Sequence, residues 1–492
     1  MLQANSTCDT PPQPQAQSTL ALLPALLIVG FIAAAAYSPI VGAYFRNDDF
    51  SWLRVAREWE AGTRSLAYGD TGVTLVYNLI YSAIHRVWRL DPRPYFQSLL
   101  VCHAIDCCLV MILVWLLVRR RVAVRASGLF FAALLSHHEA VTWPAAGLHV
   151  FVGAFVLAAV IFWVLYRQGR TWALPLSVLS TLLALFTKDS GVVVLPVLAA
   201  VDWLVFPKVR RTALLWHLGA YVILLAWRFT LPPLAEAMEP GSEHYYVGLH
   251  VFTNLAYAVP QMLVPDLRFE NYLALLQQLL PPPGVRAALI LGHASIILLA
   301  VASLWGLWRG TALVRLGILW CYLCFLPFAP FSYDYARAPR YLYVPSVGLA
   351  LLVGLSAVRF ADYVKPGMRL QRFVAAALVI AYLGGAFAFA GMVSSNRLRD
   401  SHLRRSIIRQ VLEHVPVAHS GDVFCLCGLP KHLRDVAGAV PLYYSKPVVA
   451  TTECDSPPPG AYVFRFSTAD PTQVAEFLRS PPRSRESTHG RW

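Results

Sequence analysis

The stretch NDDFSWLRVAREWE, residues 47–60, places two adjacent carboxylates, Asp48 and Asp49, directly after an apolar run long enough to cross a bilayer. Ionisable groups at the edge of hydrocarbon are costly unless they are solvated, paired or used. A structural explanation is helix capping, because Asn47, Asp48 or Asp49 can accept hydrogen bonds at the start of the helix that follows. Carboxylates that are neighbours and partly desolvated can also act as a general base.

Composition identifies the class of protein. The 492 residues are 57% hydrophobic and 14% charged, with a mean hydropathy of +0.54, whereas a soluble domain is about 25% charged. The chain is therefore predicted to be an integral membrane protein. Its net charge of +14 comes largely from short basic clusters between apolar runs, which orient helices. We expect no nucleic-acid partner.

The apolar runs predict an all-α polytopic fold with about eleven membrane-spanning helices. Every second connection between them is basic, so these connections are predicted to be cytoplasmic, with the N-terminus inside and the C-terminus outside. The predicted spans are 18–41, 96–118, 124–140, 148–166, 171–187, 190–206, 212–231, 286–307, 311–330, 341–358 and 373–394.

Three regions follow from this topology. Residues 1–17 form a cytoplasmic tail, 18–394 the transmembrane domain and 395–492 an extracytoplasmic domain. The transmembrane domain carries two long outer loops, 42–95 and 232–285. Within the first, TGVTLVYNLIYSAIHRVW (71–88) is predicted to be an amphipathic helix in the membrane interface. A tilted spanning helix is the alternative, but it would break the alternation of basic connections.

The C-terminal region is predicted to be a small α+β domain. Three alternating stretches, VFCLCGL, PLYYSKPVVATT and AYVFRFS, indicate strands, and a helix is predicted near 472–479. On the oxidising side, Cys425 or Cys427 can form a disulfide with Cys454. No catalytic motif is found there, so the domain is predicted to be structural or to position the acceptor.

Other ionisable residues gather at the same outer side of the predicted topology. They lie in SHHEAVTWPAAGLH (136–149), TKDSGVVVLPVLAAVDWL (187–204) and YDYARAPRYLYVPSVG (333–348). Such residues at a membrane boundary are functional candidates. The non-functional alternative for the arginines is that their long side chains extend to the interface and place the charge in water. The candidates are His137, His138, Glu139, Lys188, Asp189, Arg337 and Arg340.

A metal site is the less favoured use of the adjacent His137, His138 and Glu139. Consecutive residues on a helix project in different directions, which suits three ligands poorly. We therefore expect no metal and no other cofactor, and assign these side chains to packing and acceptor orientation, with a divalent metal as the alternative. Asp106, with His103 inside the second span, is either functional or hydrogen-bonded to a neighbouring helix.

These stretches resemble a known family. The NDD motif resembles the acidic motif in the first outer loop of C-type glycosyltransferases, polytopic enzymes that use polyprenyl-phosphate-linked sugars. SHHEAVTWPAAGLH, TKDSGVVVLP and RYLYVPSVGLALL are similar, in the same order, to motifs of the O-mannosyltransferases that carry tetratricopeptide repeats. The resemblance covers roughly residues 20–395. Asp49 stands where related protein O-mannosyltransferases commonly have Glu, no proline follows His137, no arginine lies near 149, and no repeats follow the membrane part.

The resemblance implies a reaction and roles. A sugar, mannose or a similar hexose, would pass from a polyprenyl phosphate to a hydroxyl of a protein, lipid or glycan acceptor, with inversion. It implies that Asp48 or Asp49 is the base, with Asp48 favoured. Arg340, then Arg337 and Lys188, are predicted to bind the donor phosphate, since a guanidinium can hold two phosphate oxygens. Glu139, His137, His138 and Asp189 are predicted to organise the site or bind the acceptor.

Two other classes of function remain open on the sequence. A lipid or glycan transporter would also contain many helices and buried ionisable groups, but it more often shows internal repeats, and no clear repeat is found here. A non-catalytic lipid-binding scaffold of the same fold is the second alternative. The composition, rich in Ala, Leu and Arg, favours a bacterial inner membrane with a periplasmic C-terminus; an endoplasmic reticulum protein would have the same topology.

Overall fold

The computed structural model describes residues 22–64, 74–207, 211–229, 247–263, 281–332, 336, 338–364, 368–467 and 470–480. In this part of the chain, sixteen α-helices and one four-stranded sheet are present. The helices form the membrane domain and continue into an outer layer. The sheet belongs to the C-terminal region.

Six stretches of helix are long and apolar enough to cross a membrane. They correspond to α1 (Leu23–Tyr37, extended by a 3-10 turn to Gly42), α4 (Arg93–Val118), α7 (Leu148–Arg167), α12 (Pro282–Arg309), α14 (Ser346–Tyr363) and α15 (Arg369–His414). Five shorter helices are α5 (Arg121–Ala132), α8 (Ala173–Thr187), α9 (Val194–Leu204), α10 (Leu214–Phe229) and α13 (Ala312–Phe325). Each of the eleven predicted spans overlaps one of these helices, although α5 ends at Ala132, well before the end of the predicted span 124–140. The predicted polytopic helical fold is confirmed.

Four further helices lie in the connections on the predicted outer side. They are α2 (Asp49–Glu60), α3 (Leu75–Trp88), α6 (His138–Val141) and α11 (His250–Leu263). The predicted helix at 71–88 is present as α3, apart from 71–73, which lie outside the described residues. Glu60 joins α2 to α3 through a 2.9 Å contact with the ring of His85. Much of the predicted loop 232–285 also lies outside the described residues.

Close helix packing fixes the segment that carries Arg340. In α14, a methyl group on Gly348 would lie 2.3 Å from the carbonyl oxygen of Gly317 in α13. Only glycine permits this approach, as is common where membrane helices cross. The residues just before α14 are also fixed, because Trp320 Nε1 of α13 donates to the carbonyl oxygen of Val344 at 3.0 Å.

The last long helix links the membrane domain to the sheet. Helix α15 has 46 residues and is therefore about 69 Å long, so it continues without a break past residue 394. The sheet that follows has the order β2-β1-β3-β4, with β1 parallel to both β2 and β3 and with β4 antiparallel to β3. Its strands are β1 (Val423–Cys427), β2 (Val449–Thr451), β3 (Tyr462–Phe466) and β4 (Val474–Arg479), and helix α16 (Val436–Tyr443) precedes β2.

Two details of the C-terminal domain differ from the sequence-based prediction. The helix predicted near 472–479 is wrong, because these residues include strand β4. Val474, Phe477 and Leu478 have helical spacing, but pairing with β3 satisfies the backbone and brings Phe477 to 4.8 Å from the ring of Phe464. The start of the stretch predicted as a strand at 441–452 is instead the last turn of α16.

The disulfide left open by the sequence joins Cys427 to Cys454. It ties the end of β1 to the chain that follows β2. Cys425, two residues earlier on the same face of β1, lies in the same buried cluster and is a free thiol.

A buried ion pair joins the end of α7 to the end of α9 and provides a test of stability. Asp202 accepts from Trp163 Nε1 at 2.9 Å and from Arg167 Nε at 2.8 Å, and both charged side chains are almost completely buried. Asp202→Ala removes the carboxylate that neutralises the buried Arg167 guanidinium, so we expect it to lower the free energy of unfolding by about 3–5 kcal/mol. Denaturant titration of the purified protein in detergent measures this change.

The matched control is Asp362→Ala. Asp362 pairs with Arg120 at 2.6 Å, but both side chains are about half exposed, so its loss should change the free energy of unfolding by less than about 1 kcal/mol. Equal effects of the two substitutions would contradict the assignment of a stabilising buried pair to Asp202.

Candidate active site

The two adjacent acids occupy different environments. A short segment connects the end of the first span to α2, and Asn47 in this segment adopts a left-handed backbone conformation with φ of +46°. Asp48 follows at the N-cap of α2 and is exposed. Asp49, the first residue of α2, is completely buried. Because of this turn, one carboxylate faces the outside while the next faces the protein interior.

Asp49 joins two outer connections that are far apart in the sequence. One carboxylate oxygen accepts from the backbone N–H of Arg46 at 2.9 Å, and the other accepts from the backbone N–H of Ala145 at 2.6 Å. Burial raises the pKa of the Asp49 carboxyl to about 7, although these hydrogen bonds and the charge of Arg46 oppose the rise. Asp49 thus holds the acid pair against the stretch 136–149.

Glu139 and Arg340 form the second link between outer connections. Arg340 Nη1 donates to the Glu139 carboxylate at 2.7 Å, and the backbone N–H of Arg340 donates to its other oxygen at 3.3 Å. Both side chains are mostly buried. Burial alone would raise the pKa of Glu139, but the charges of Arg340 and Arg46 hold it below its usual range. Glu139 is therefore a carboxylate whose negative charge stabilises the charges of Arg340 and Arg46.

Lys188 reaches the same group from the end of α8. Its backbone is extended, between α8 and a 3-10 turn at Asp189–Val193. A methyl on Gly191 would lie 2.4 Å from the carbonyl oxygen of Ala184, so glycine allows this turn to fold back onto α8. Burial lowers the pKa of Lys188 to about 8; the charge of Asp189 raises it and that of Arg340 lowers it further. Lys188 therefore lies within range of the charge of Arg340.

Arg46 is a site residue that the sequence reasoning missed. Its guanidinium lies 4.5 Å from the centre of the Trp143 ring, and the guanidinium of Arg340 lies 5.4 Å from the same ring centre. Burial lowers the pKa of Arg46 to about 9, so the group is still cationic at neutral pH. The signal was its position directly before NDD, but the sequence spacing does not show that Trp143 places Arg46 beside Arg340.

Several buried donors of this cluster lack a protein acceptor. Nε and Nη2 of Arg46 and Nε1 of Trp143 are buried without a hydrogen-bond partner in the described part of the structure. Unpaired buried polar groups are costly, and the charges of Arg46, Arg340 and Lys188 exceed those of Asp49 and Glu139. We name these five residues together with Trp143 the cationic site. Its chemistry suits an anion with several oxygen acceptors, such as a phosphate.

The remaining predicted residues are placed around this cluster. His137 Nε2 is 2.8 Å from Ser346 Oγ, whereas His138 Nδ1 is 2.9 Å from the carbonyl oxygen of Leu135. The two rings and the Glu139 carboxylate thus have separate partners. No three His, Cys, Asp or Glu side chains gather as metal ligands among the residues that the structure describes. Asp189 is exposed, and Arg337 lies outside the described residues.

The intramembrane acid has a structural partner. Tyr343 donates its hydroxyl hydrogen to Asp106 at 2.8 Å, and the same hydroxyl oxygen is 2.8 Å from His103 Nδ1. Of the two explanations that the sequence left open, the hydrogen bond to a neighbouring element is therefore present. Because Tyr343 is close in sequence to Arg340, this bond also anchors the segment that carries the arginine.

The fold of the chain is similar to those of solved membrane proteins. The chain aligns with ArnT from Cupriavidus metallidurans in the apo state, with a TM-score of 0.53, 11% identity, and coverage of 89% of this chain and 86% of ArnT. ArnT bound to undecaprenyl phosphate aligns with a TM-score of 0.51 at 12% identity, covering 89% and 87%. The oligosaccharyltransferase AglB from Archaeoglobus fulgidus, in complex with an inhibitory peptide and a dolichol-phosphate, gives a TM-score of 0.49 at 12% identity, covering 87% and 64%.

Searches with protein-family models and among curated proteins find no match. The likeness to ArnT extends over most of both chains. The chain therefore shares the fold of ArnT, and its polytopic helical architecture with a small C-terminal domain is the one predicted from its sequence.

Proposed function

We propose that the protein is a membrane glycosyltransferase that moves a sugar from a polyprenyl-phosphate-linked donor to an acceptor hydroxyl at the extracytoplasmic face. The observation that carries the proposal is the cationic site beside an acid pair at the membrane boundary. Arg46, Arg340 and Lys188 form an anion-binding group there, and Asp48 stands exposed on the adjoining turn. The fold supports it, because ArnT has been solved with undecaprenyl phosphate bound.

The chemistry requires opposite charges on the two sides of the reacting carbon. A polyprenyl phosphate is anchored in the bilayer, so its sugar is presented at the interface. When the glycosidic bond breaks, the phosphate leaves with added negative charge, which buried cations stabilise without reorganisation. An acceptor hydroxyl attacks from the other side and loses its proton to a base. One direct displacement inverts the anomeric carbon.

Each side chain has a place in this scheme. Asp48 is the proposed base, because it is exposed to an acceptor while Asp49 is enclosed. Asp49 holds the turn through its two backbone hydrogen bonds. Arg340, held by Glu139, binds the phosphate with Lys188, and the unpaired donors of Arg46 and Trp143 complete the site. Arg337, His137, His138 and Asp189 are kept as proposed contributors to donor binding or acceptor orientation.

The donor sugar is proposed to be mannose or a similar hexose. This part rests on the sequence resemblance to O-mannosyltransferases, carried by SHHEAVTWPAAGLH and RYLYVPSVGLALL. The acceptor is a hydroxyl of a protein, lipid or glycan. We place the enzyme in a bacterial inner membrane because its composition is rich in Ala, Leu and Arg. The basic connections place its N-terminus in the cytoplasm and its C-terminus in the periplasm.

Removing the proposed base tests the reaction directly. Asp48→Asn keeps the size of the side chain but abolishes its basicity, so we expect donor consumption to fall by about 100-fold or more. Purified protein in lipid is incubated with radiolabelled polyprenyl-phosphate mannose and related donors, with envelope extract as the acceptor. The matched control is Glu58→Gln, which neutralises a partly exposed acid on the same helix, α2, and should leave the rate unchanged.

The possible results separate the classes of function. Unchanged donor consumption in Asp48→Asn would show that Asp48 is not the base. Movement of the donor across the membrane without bond cleavage would identify a transporter. Donor binding with neither cleavage nor movement would identify a scaffold.

Binding of the lipid phosphate is testable without catalysis. Arg46→Gln removes a buried cation, two of whose nitrogens, Nε and Nη2, have no acceptor among the described residues, and an interaction of a phosphate with such a group contributes about 1.5–3 kcal/mol. We expect the dissociation constant for a sugar-free polyprenyl phosphate in nanodiscs to increase by about 10- to 150-fold. Arg93→Gln is the control, because Arg93 lies at the outer side and is exposed. Equal affinity of the two variants would contradict the assignment.

The pH dependence should be bell-shaped. Asp49 has a raised pKa of about 7 and is a carboxylate only above that value. Because the carboxylate accepts the two backbone hydrogen bonds that hold the turn before Asp48, the rate should rise through pH 7. Lys188, with its lowered pKa of about 8, loses its charge above that value, so the rate should then fall. In Lys188→Arg the guanidinium stays charged, and the fall above pH 8 should disappear. Its persistence would assign the alkaline limb to another group.

A further inference from the structure

The C-terminal domain contacts the acid loop through one carboxylate. Asp435, at the N-cap of α16, accepts from the backbone N–H of Asn47 at 2.7 Å. The same carboxylate binds Arg404 of α15, with Nε 3.0 Å from Oδ2 and 3.3 Å from Oδ1. Asp435 therefore connects the residue immediately before Asp48 to both the domain and the last long helix.

The residue that Asp435 holds is the turn that orients Asp48. Asn47 has a positive φ of +46°, a conformation that asparagine tolerates better than most residues but that is not its preferred state. A change at this residue rotates the chain that leads into Asp48. The hydrogen bond to its N–H therefore restrains the backbone of the residue that leads directly into the proposed base.

Arg404 in turn fixes Asp435. Its side chain is nearly buried, and Nη2 donates to the carbonyl oxygen of His432 at 2.8 Å. Helix α15 also holds the start of the segment, where Ser401 Oγ accepts from the backbone N–H of Tyr44 at 2.8 Å. The segment 44–47 is therefore hydrogen-bonded to α15 at its first residue and to the C-terminal domain at its last residue.

General docking of the domain uses other contacts. Arg57, near the end of α2, donates to the carbonyl oxygens of Pro441 at 2.9 Å and Tyr444 at 2.6 Å. Phe50 and Val436 are buried in an apolar cluster that the loop and the domain share. These contacts attach the domain to α2 without bonding the turn at Asn47. Docking and orientation of the turn are thus carried by different residues.

We propose that Asp435 is a positioning residue for the proposed glycosyl transfer, through which the C-terminal domain sets the orientation of Asp48. This inference rests on the proposed function for its effect on rate. It assigns the domain a task in the reaction of the membrane part, in place of a purely structural attachment. Asp435 contacts neither donor nor acceptor in this account; it acts through the backbone of Asn47.

Kinetics of three full-length variants in lipid test this role. Asp435→Ala frees the turn, and a misplacement of a reacting group by about 1 Å can lower a rate by about 100-fold. We expect kcat to fall by about 10- to 100-fold with the donor KM within about 2-fold. Asp435→Asn keeps an oxygen that can accept from Asn47 and should recover most of the loss. Arg57→Ala, the docking control, should lower thermal stability and leave kcat unchanged.

Hydrogen exchange supplies a second readout that does not depend on activity. The peptide covering residues 43–50 should exchange faster in Asp435→Ala, because the Asn47 N–H loses its acceptor, while the peptide of strand β1 stays unchanged. Arg57→Ala should not accelerate exchange at Asn47. If no variant and no wild-type protein consumes any donor, the proposed function fails and this exchange pattern still decides whether Asp435 holds the turn.

Two results would overturn the inference. One is an Asp435→Ala protein with lowered thermal stability, unchanged kcat and unchanged exchange at residues 43–50. The other is an equal fall of kcat in Asp435→Ala and Arg57→Ala, which would show that loss of docking alone is responsible.

Discussion

The candidate site depends on a buried carboxylate that accepts two backbone hydrogen bonds. Asp49 receives the N–H groups of Arg46 and Ala145, and so it joins the connection after the first span to the connection before α7. Without it, two N–H groups would be buried without acceptors, at about 1–3 kcal/mol each. The position of Asp48 on one side and of Arg46 and Trp143 on the other follows from this bond.

A second constraint comes from the location of the site at the end of the helices. Cations near hydrocarbon interact strongly because the surrounding dielectric is low, and for the same reason they are costly when unpaired. Glu139 pairs with Arg340, whereas Arg46 Nε and Nη2 and Trp143 Nε1 have no partner within the part of the chain that the structure describes. In the proposed reaction these donors bind the oxygens of the lipid phosphate. The exposed Asp48 takes the proton of the acceptor hydroxyl in the same proposal.

The sequence predicted the architecture well because membrane helices are defined by composition and length, both of which are visible in a single chain. It also predicted that Glu139, Lys188 and Arg340 lie at one face, since topology alone brings alternate connections together. It did not predict Arg46 or Asp435, because their partners, Trp143 and Asn47, are distant in the sequence. Strand β4 was predicted as a helix because the spacing of its apolar residues fits a helix as well as a strand. Pairing with the edge of β3 makes it a strand.

The proposed phosphate site is tested most directly by an experimental structure of this protein in lipid with a polyprenyl phosphate. We expect the phosphorus atom within about 4 Å of guanidinium nitrogens of both Arg46 and Arg340, with phosphate oxygens accepting hydrogen bonds from them. A phosphate bound at the basic connections on the opposite face, with Arg46 and Trp143 still unpaired, would contradict it.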